Sequence, residues 1–212
     1  MSPTISIPES GLFFPNNIAR IFIVSMEDIL GKNGLNTVLN LAGQSAYIGN
    51  YPPNNAERNF DFASFSSISG TVENVYGTNA ARMMAARAGV AVFDQVVKDL
   101  GAPVEVQDPG YKDKPLAEKI STGLMFVRRM FSNTQNEPFK VLDNGNYLYP
   151  VYKCPICWGR TTKEPSCFLI GSILQASVRW TTGGVELPVT QIKAHSCGDP
   201  SCDYVIPVIP NA

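Results

Sequence analysis

Cys154-Pro155-Ile156-Cys157-Trp158-Gly159-Arg160, then Pro165-Ser166-Cys167, then His195-Ser196-Cys197-Gly198-Asp199-Pro200-Ser201-Cys202: these segments hold all five cysteines and the single histidine of the 212-residue chain. Metal chemistry through sulfur or imidazole is therefore confined to the stretch from Cys154 onward. Two thiolates in a Cys-x-x-Cys turn reach adjacent corners of a tetrahedron, and Pro155 stiffens that turn. Cys197 and Cys202 are spaced more widely, His195 stands two residues before Cys197, and Cys167 falls near a helix start. The candidate metal set is thus Cys154, Cys157, Cys167, His195, Cys197 and Cys202, with zinc the expected ion. Inert buried thiols, a disulfide and a redox pair are the alternatives.

Working outward, the period of the apolar residues changes on either side of this stretch. Phe139-Lys140-Val141-Leu142 and Tyr147-Leu148-Tyr149-Pro150-Val151-Tyr152 flank Asp143-Asn144-Gly145-Asn146, a hairpin signal. Pro165 to Trp180 reads as a helix, and Val185 to Ala194 and Tyr204 to Ile209 as two further strands. Upstream the chain is helical. Ile18, Ile21, Phe22, Ser25, Met26 and Ile29 share a face, after Asn16 or Asn17 as cap, and Gly31 and Gly34 end that pattern. Asp61 caps a helix running to Tyr76-Gly77, and Ala80 to Leu100 follows as the clearest helix. Gly101 to Asp113 is an exposed connector. Pro115 opens a helix whose apolar row is Ile120, Leu124, Val127 and Phe131. Its basic residues, Arg128 and Arg129 among them, read as a solvated face.

The expected fold class is therefore α+β: helices packed on a roughly four-stranded antiparallel sheet. The chain is one domain over 1–212, with a helical part at 1–100, a connector at 101–113 and the remainder at 114–212. Seventeen basic residues oppose 18 acidic ones, for a net charge of −1. That balance excludes direct nucleic-acid binding. No apolar run approaches the roughly 20 residues of a membrane span. Met1 to Gly11 lacks the features of a signal peptide, so a cytoplasmic location is expected, where thiols stay reduced.

Cys-Pro-Ile-Cys-Trp-Gly-Arg, Pro-Ser-Cys before a helix, and Gly-Asp-Pro-Ser-Cys-Asp-Tyr-Val-Ile together resemble the 4-vinyl reductase domain family, also described as predicted hydrocarbon-binding proteins. Ile-Ala-Arg-Ile, Asn-Gly-Leu-Asn and Asn-Tyr-Pro-Pro-Asn-Asn extend the resemblance through the N-terminal half. It implies the ligand-binding fold of TRAPP-type tethering subunits and of haem nitric-oxide sensors, with an apolar cavity and a helix-mediated homodimer. It also implies a zinc site formed by a Cys near a helix start and a later Glu-x-x-Cys-x7-Cys. Cys167 matches the first of these and Cys202 the last, whereas Gln191 and Ala194 stand at the Glu and middle Cys positions. Haem is not expected, because the Tyr-x-Ser-x-Arg clamp of the nitric-oxide sensors is missing.

A hydrophobic small molecule is the expected partner. The candidate cavity residues are Phe62, Phe65, Met84 and Phe126, with Met130, Trp158 and Phe168, and with Arg87 as a ligand anchor or an ion-pair member. No phosphate loop, dinucleotide fingerprint or catalytic triad is present. Binding of an aromatic or hydrophobic molecule is thus the first reading. The alternatives are a role in (bacterio)chlorophyll 4-vinyl reduction, as enzyme or accessory factor, and a non-catalytic scaffold subunit.

Overall fold

Two glycines bend what would otherwise be straight rods. In the computed structural model, which describes residues 7–130 and 139–208, helix α1 (Asn16–Leu41) breaks at Gly31 and helix α2 (Phe62–Leu100) at Gly77. Both adopt positive φ with extended ψ (68°, 166° and 81°, 166°), a conformation open to glycine alone at little cost. Each long helix is therefore two shorter ones, as the sequence pattern predicts. Asp61 caps α2 by accepting the N–H of Ala63 at 2.7 Å.

Neither Asn16 nor Asn17 caps α1, because Pro15 holds the capping position. Asn16 reaches Asn55 at 2.9 Å instead, and Asn17 binds Asp99. A ribbon not expected from the sequence pairs β1 (Phe13–Pro15) with β2 (Arg58–Asp61), antiparallel and bulged at Phe14/Pro15. The connector also carries structure: a short helix α3 (Val104–Gln107) and a 3-10 turn at Pro109–Asp113 that buries Tyr111.

Helix α4 (Leu116–Met130) and helix α5 (Phe168–Thr181) complete the helical layer. α5 lies between α2 and α4, and α1 packs on the far side of α2. Glycine notches set the approach of α5. A Cβ at Gly89 would stand 2.5 Å from Ser172 Cβ, and one at Gly123 only 2.8 Å from Thr181 Oγ1. α5 begins at Phe168, later than Pro165, since Cys167 has non-helical ψ (54°).

The sheet has four antiparallel strands in the order β3 (Lys140–Val141), β4 (Tyr147–Val151), β6 (Cys202–Ile206), β5 (Thr190–Lys193). The Asn-Gly turn closes β3 on β4, with Gly145 at φ 82° and Leu142 N–H donating to Asn146 O at 2.8 Å. β5 is shorter than Val185–Ala194 because Pro188 has no N–H to donate. The architecture is α+β. Tyr149 and Tyr204 face each other in register, both buried, and the Tyr204 ring fills the space beside Gly171 of α5. Phe131 and Ile209, assigned above to a helix row and a strand end, lie outside the described residues.

Candidate metal centre and adjoining cavity

Strand register builds the sulfur cluster. Val151 pairs with Cys202 at the end of the β4–β6 ladder, so the loop leaving β4 delivers Cys154 and Cys157 beside the first residue of β6. Helix α5 supplies Cys167 just before its first turn. The Sγ atoms of Cys154, Cys157, Cys167 and Cys202 all lie within 4.8 Å of one another, and all four residues are buried. Cys157 to Cys202 measures 3.5 Å, Cys154 to Cys167 3.6 Å and Cys167 to Cys202 3.7 Å.

These lengths decide between the alternatives. A disulfide needs about 2.05 Å, and none is formed. Zn–S bonds of about 2.3 Å give a tetrahedron with edges of about 3.8 Å. The sulfurs stand at that spacing. Chance burial of four separate small residues would not place them so.

The surroundings are built to hold the loop. Buried Ser66 of α2 donates to Trp158 O at 2.6 Å, and Arg160 donates to Ile156 O at 3.2 Å while pairing with Glu73 of α2. Trp158 Nε1 donates to Pro8 O at 2.7 Å. The N–H of His195 donates to Cys202 Sγ at 3.4 Å, and Ser196 Oγ lies 3.4 Å from Cys157 Sγ. Such donors offset the negative charge of a buried thiolate.

Protonation is shared unequally in the sulfur cluster. Hydrogen bonds from Cys154, Cys167 and Cys202 pull the Cys157 thiol far down. Burial, then its bonds to the other three sulfurs, pushes Cys154 up. Cys167 is drawn down by Cys154, but Cys157, Cys202 and burial outweigh this and raise it. One thiolate sheltered by three thiols is an arrangement that a divalent cation converts to four thiolates, displacing protons.

His195 and Cys197 do not join the cluster. The His195 ring turns away and donates from Nε2 to Tyr152 O at 2.5 Å, so only its main chain serves the sulfurs. Cys197 is exposed, 3.5 Å from Thr162 Oγ1. The cause is local. Residues 195–197 form a 3-10 turn that ends at Gly198 in the left-handed region (φ 95°).

Against this cluster lies a half-open cavity of about 220 Å³. Its apolar walls are Phe14 and Ile18, Phe65, Val92 and Val96 of α2, Met130 of α4, Leu169, Ile170 and Ile173 of α5, and Pro155. Phe65 and Met130 are thus the two nominated residues that line it. Met84 and Phe168 line a second, much smaller space of about 30 Å³. Phe62 stacks on Phe14 at 5.0 Å, and Phe126 packs on Phe93 and Trp180. Arg87 pairs on the surface with Asp28 at 3.6 Å, and Trp158 is held by Pro8, so neither lines either space.

The wall residues Val92 and Val96 are visible in the sequence only as one row of a helix. Arg58, Asp99 and Arg129, the ionisable residues of the cavity lining, carry no local signal at all.

No protein-family profile matches the sequence, and no curated protein matches it either. Among solved structures, an H-NOX protein from S. oneidensis in the Fe(II)NO ligation state aligns with a TM-score of 0.49 at 12% identity, over 88% of this chain and 97% of that one. Among the described residues no helix is long and apolar enough to cross a membrane.

Proposed function

We propose that this chain is a small-molecule-binding module with a structural zinc ion held by Cys154, Cys157, Cys167 and Cys202. The observation that carries the reading is the sulfur tetrad, whose 3.5–3.7 Å edges match an all-thiolate tetrahedron. Four protein ligands fill the coordination of zinc and leave no open position for a water or substrate, so the ion's role is to tie α5, β6 and the Cys154–Cys157 loop together. Zinc is favoured over iron because it tolerates a fixed tetrahedral thiolate set without redox chemistry.

The cavity supplies the binding half. Its walls are aliphatic and aromatic, and its Asp99 is already engaged by Asn17 and Gln95 at 2.6 and 2.7 Å. That lining suits an apolar guest better than a proton-transfer reaction. A cavity of about 150 Å³ accepts benzene, so about 220 Å³ suits a one- or two-ring molecule or a short acyl chain. The resemblance to the 4-vinyl reductase domain family supports the same reading and adds a cytoplasmic homodimer.

Native mass spectrometry of the purified chain tests this directly. One zinc per chain, a retained small apolar mass and a dimer are expected. A metal-free chain, or a coloured iron-thiolate protein, would overturn the zinc assignment.

A further inference from the structure

The geometry points to a carboxylate on the guest: the cavity takes a compact apolar acid, with its head group between Arg58 and Arg129. This rests on the cavity reading above and deepens it. The exposed members of the lining, Ala56, Arg58, Asp99, Leu100 and Arg129, mark the mouth. Two of them are guanidiniums, carried by separate elements: Arg58 by β2 and Arg129 by the last turn of α4.

Their donors are largely unspent. Arg58 gives one N–H to Phe13 O at 3.3 Å. Arg129 has no carboxylate partner among the described residues. The one acid at the mouth, Asp99, is bound by two neutral amides, Asn17 Nδ2 on Oδ2 and Gln95 Nε2 on Oδ1. Two positive groups against one negative leave the mouth at +1. A guanidinium fork matches the two oxygens of a carboxylate, which a neutral hydrocarbon could not use. The body of such an acid would lie against Phe65, Ile170 and Ile173, away from water.

The test is isothermal titration of the full chain as purified, with 4-phenylbutyrate and with its neutral counterpart 4-phenyl-1-butanol. The acid is expected to bind about tenfold tighter than the alcohol, the margin of one charge-assisted contact. Arg58→Gln with Arg129→Gln should erase that ratio, and Arg87→Gln, outside the cavity, should keep it. Equal affinities in the unmodified chain, or a ratio that survives the double substitution, would overturn the inference while the cavity reading stands. If neither compound binds, the cavity reading falls and this inference with it.

Discussion

The main-chain N–H of Cys167 donates to Oε1 of Gln191 across 2.9 Å. A strand side chain on β5 thereby fixes the residue that presents a sulfur from the start of α5. The neutral amide accepts this bond without adding a further charge beside a buried sulfur cluster. Gln191→Ala should lower stability by about 1 kcal/mol, the usual worth of such a bond. Gln191→Glu should weaken metal retention against a chelator, because it sets a carboxylate beside thiolates. Chelator-competition half-times compare the three proteins, and equal half-times would dismiss the charge argument.

The six metal candidates divide cleanly. Serine at Cys154, Cys157, Cys167 or Cys202 should each reduce bound zinc below half and lower Tm by roughly 10 °C. Cys197→Ser and His195→Gln should leave zinc at one per chain. Elemental analysis of the six variants reads this out. Full zinc in Cys154→Ser with Cys157→Ser would remove that loop from the site.

Arg160 and Glu73 form an ion pair with side chains only 10% and 19% exposed. Removing one partner strands the other charge in a poorly solvated place. Arg160→Met should therefore cost about 3 kcal/mol, and adding Glu73→Leu should recover part of it. Urea denaturation of the single and double variants decides. A double variant no more stable than the single one would contradict the account.

Gly89→Ala in an exposed helix would be a gain of up to about 1 kcal/mol. Here the added methyl meets Ser172 of α5 at 2.5 Å. Net destabilisation of about 1–3 kcal/mol is expected instead, read as a fall in Tm.

Asp61 gives the fold a pH dependence. Burial alone would raise its pKa, but the N–H groups of Ala63, Ser10 and Gly11 and the Ser10 hydroxyl hold it below the usual 3.8. Because the folded value is depressed, its stabilisation is present above the unfolded value and is lost as pH falls through the folded one. Asp61→Asn should flatten the acid limb of the stability curve below about pH 4. An unchanged acid limb would show that other carboxylates set it.

The features legible in the sequence were those with local causes. Asn144-Gly145 specifies its own turn, Asp61 its own cap, and Gly31 and Gly77 their own bends. The β1–β2 ribbon was hidden because Phe13 and Asp61 pair across a long loop with three and four residues only. Cys-x-x-Cys announced half the tetrad. The other half depends on Val151 meeting Cys202 and on where α5 begins, which no spacing rule contains. His195 and Cys197 misled because nearness in sequence says nothing of a turn that points the thiol outward. Arg129 looked like solvent-facing charge, since the cavity beside it is assembled from four separate elements.

Pro155 belongs to two structures at once. It separates two of the sulfur donors and also faces the hollow between the helices. Thermodynamic reciprocity then ties the two sites: whatever free energy an occupant adds to or removes from ion affinity, the ion returns to the occupant in equal measure. A cell that starved this protein of its ion would therefore also alter its grip on cargo, with no second regulatory domain required.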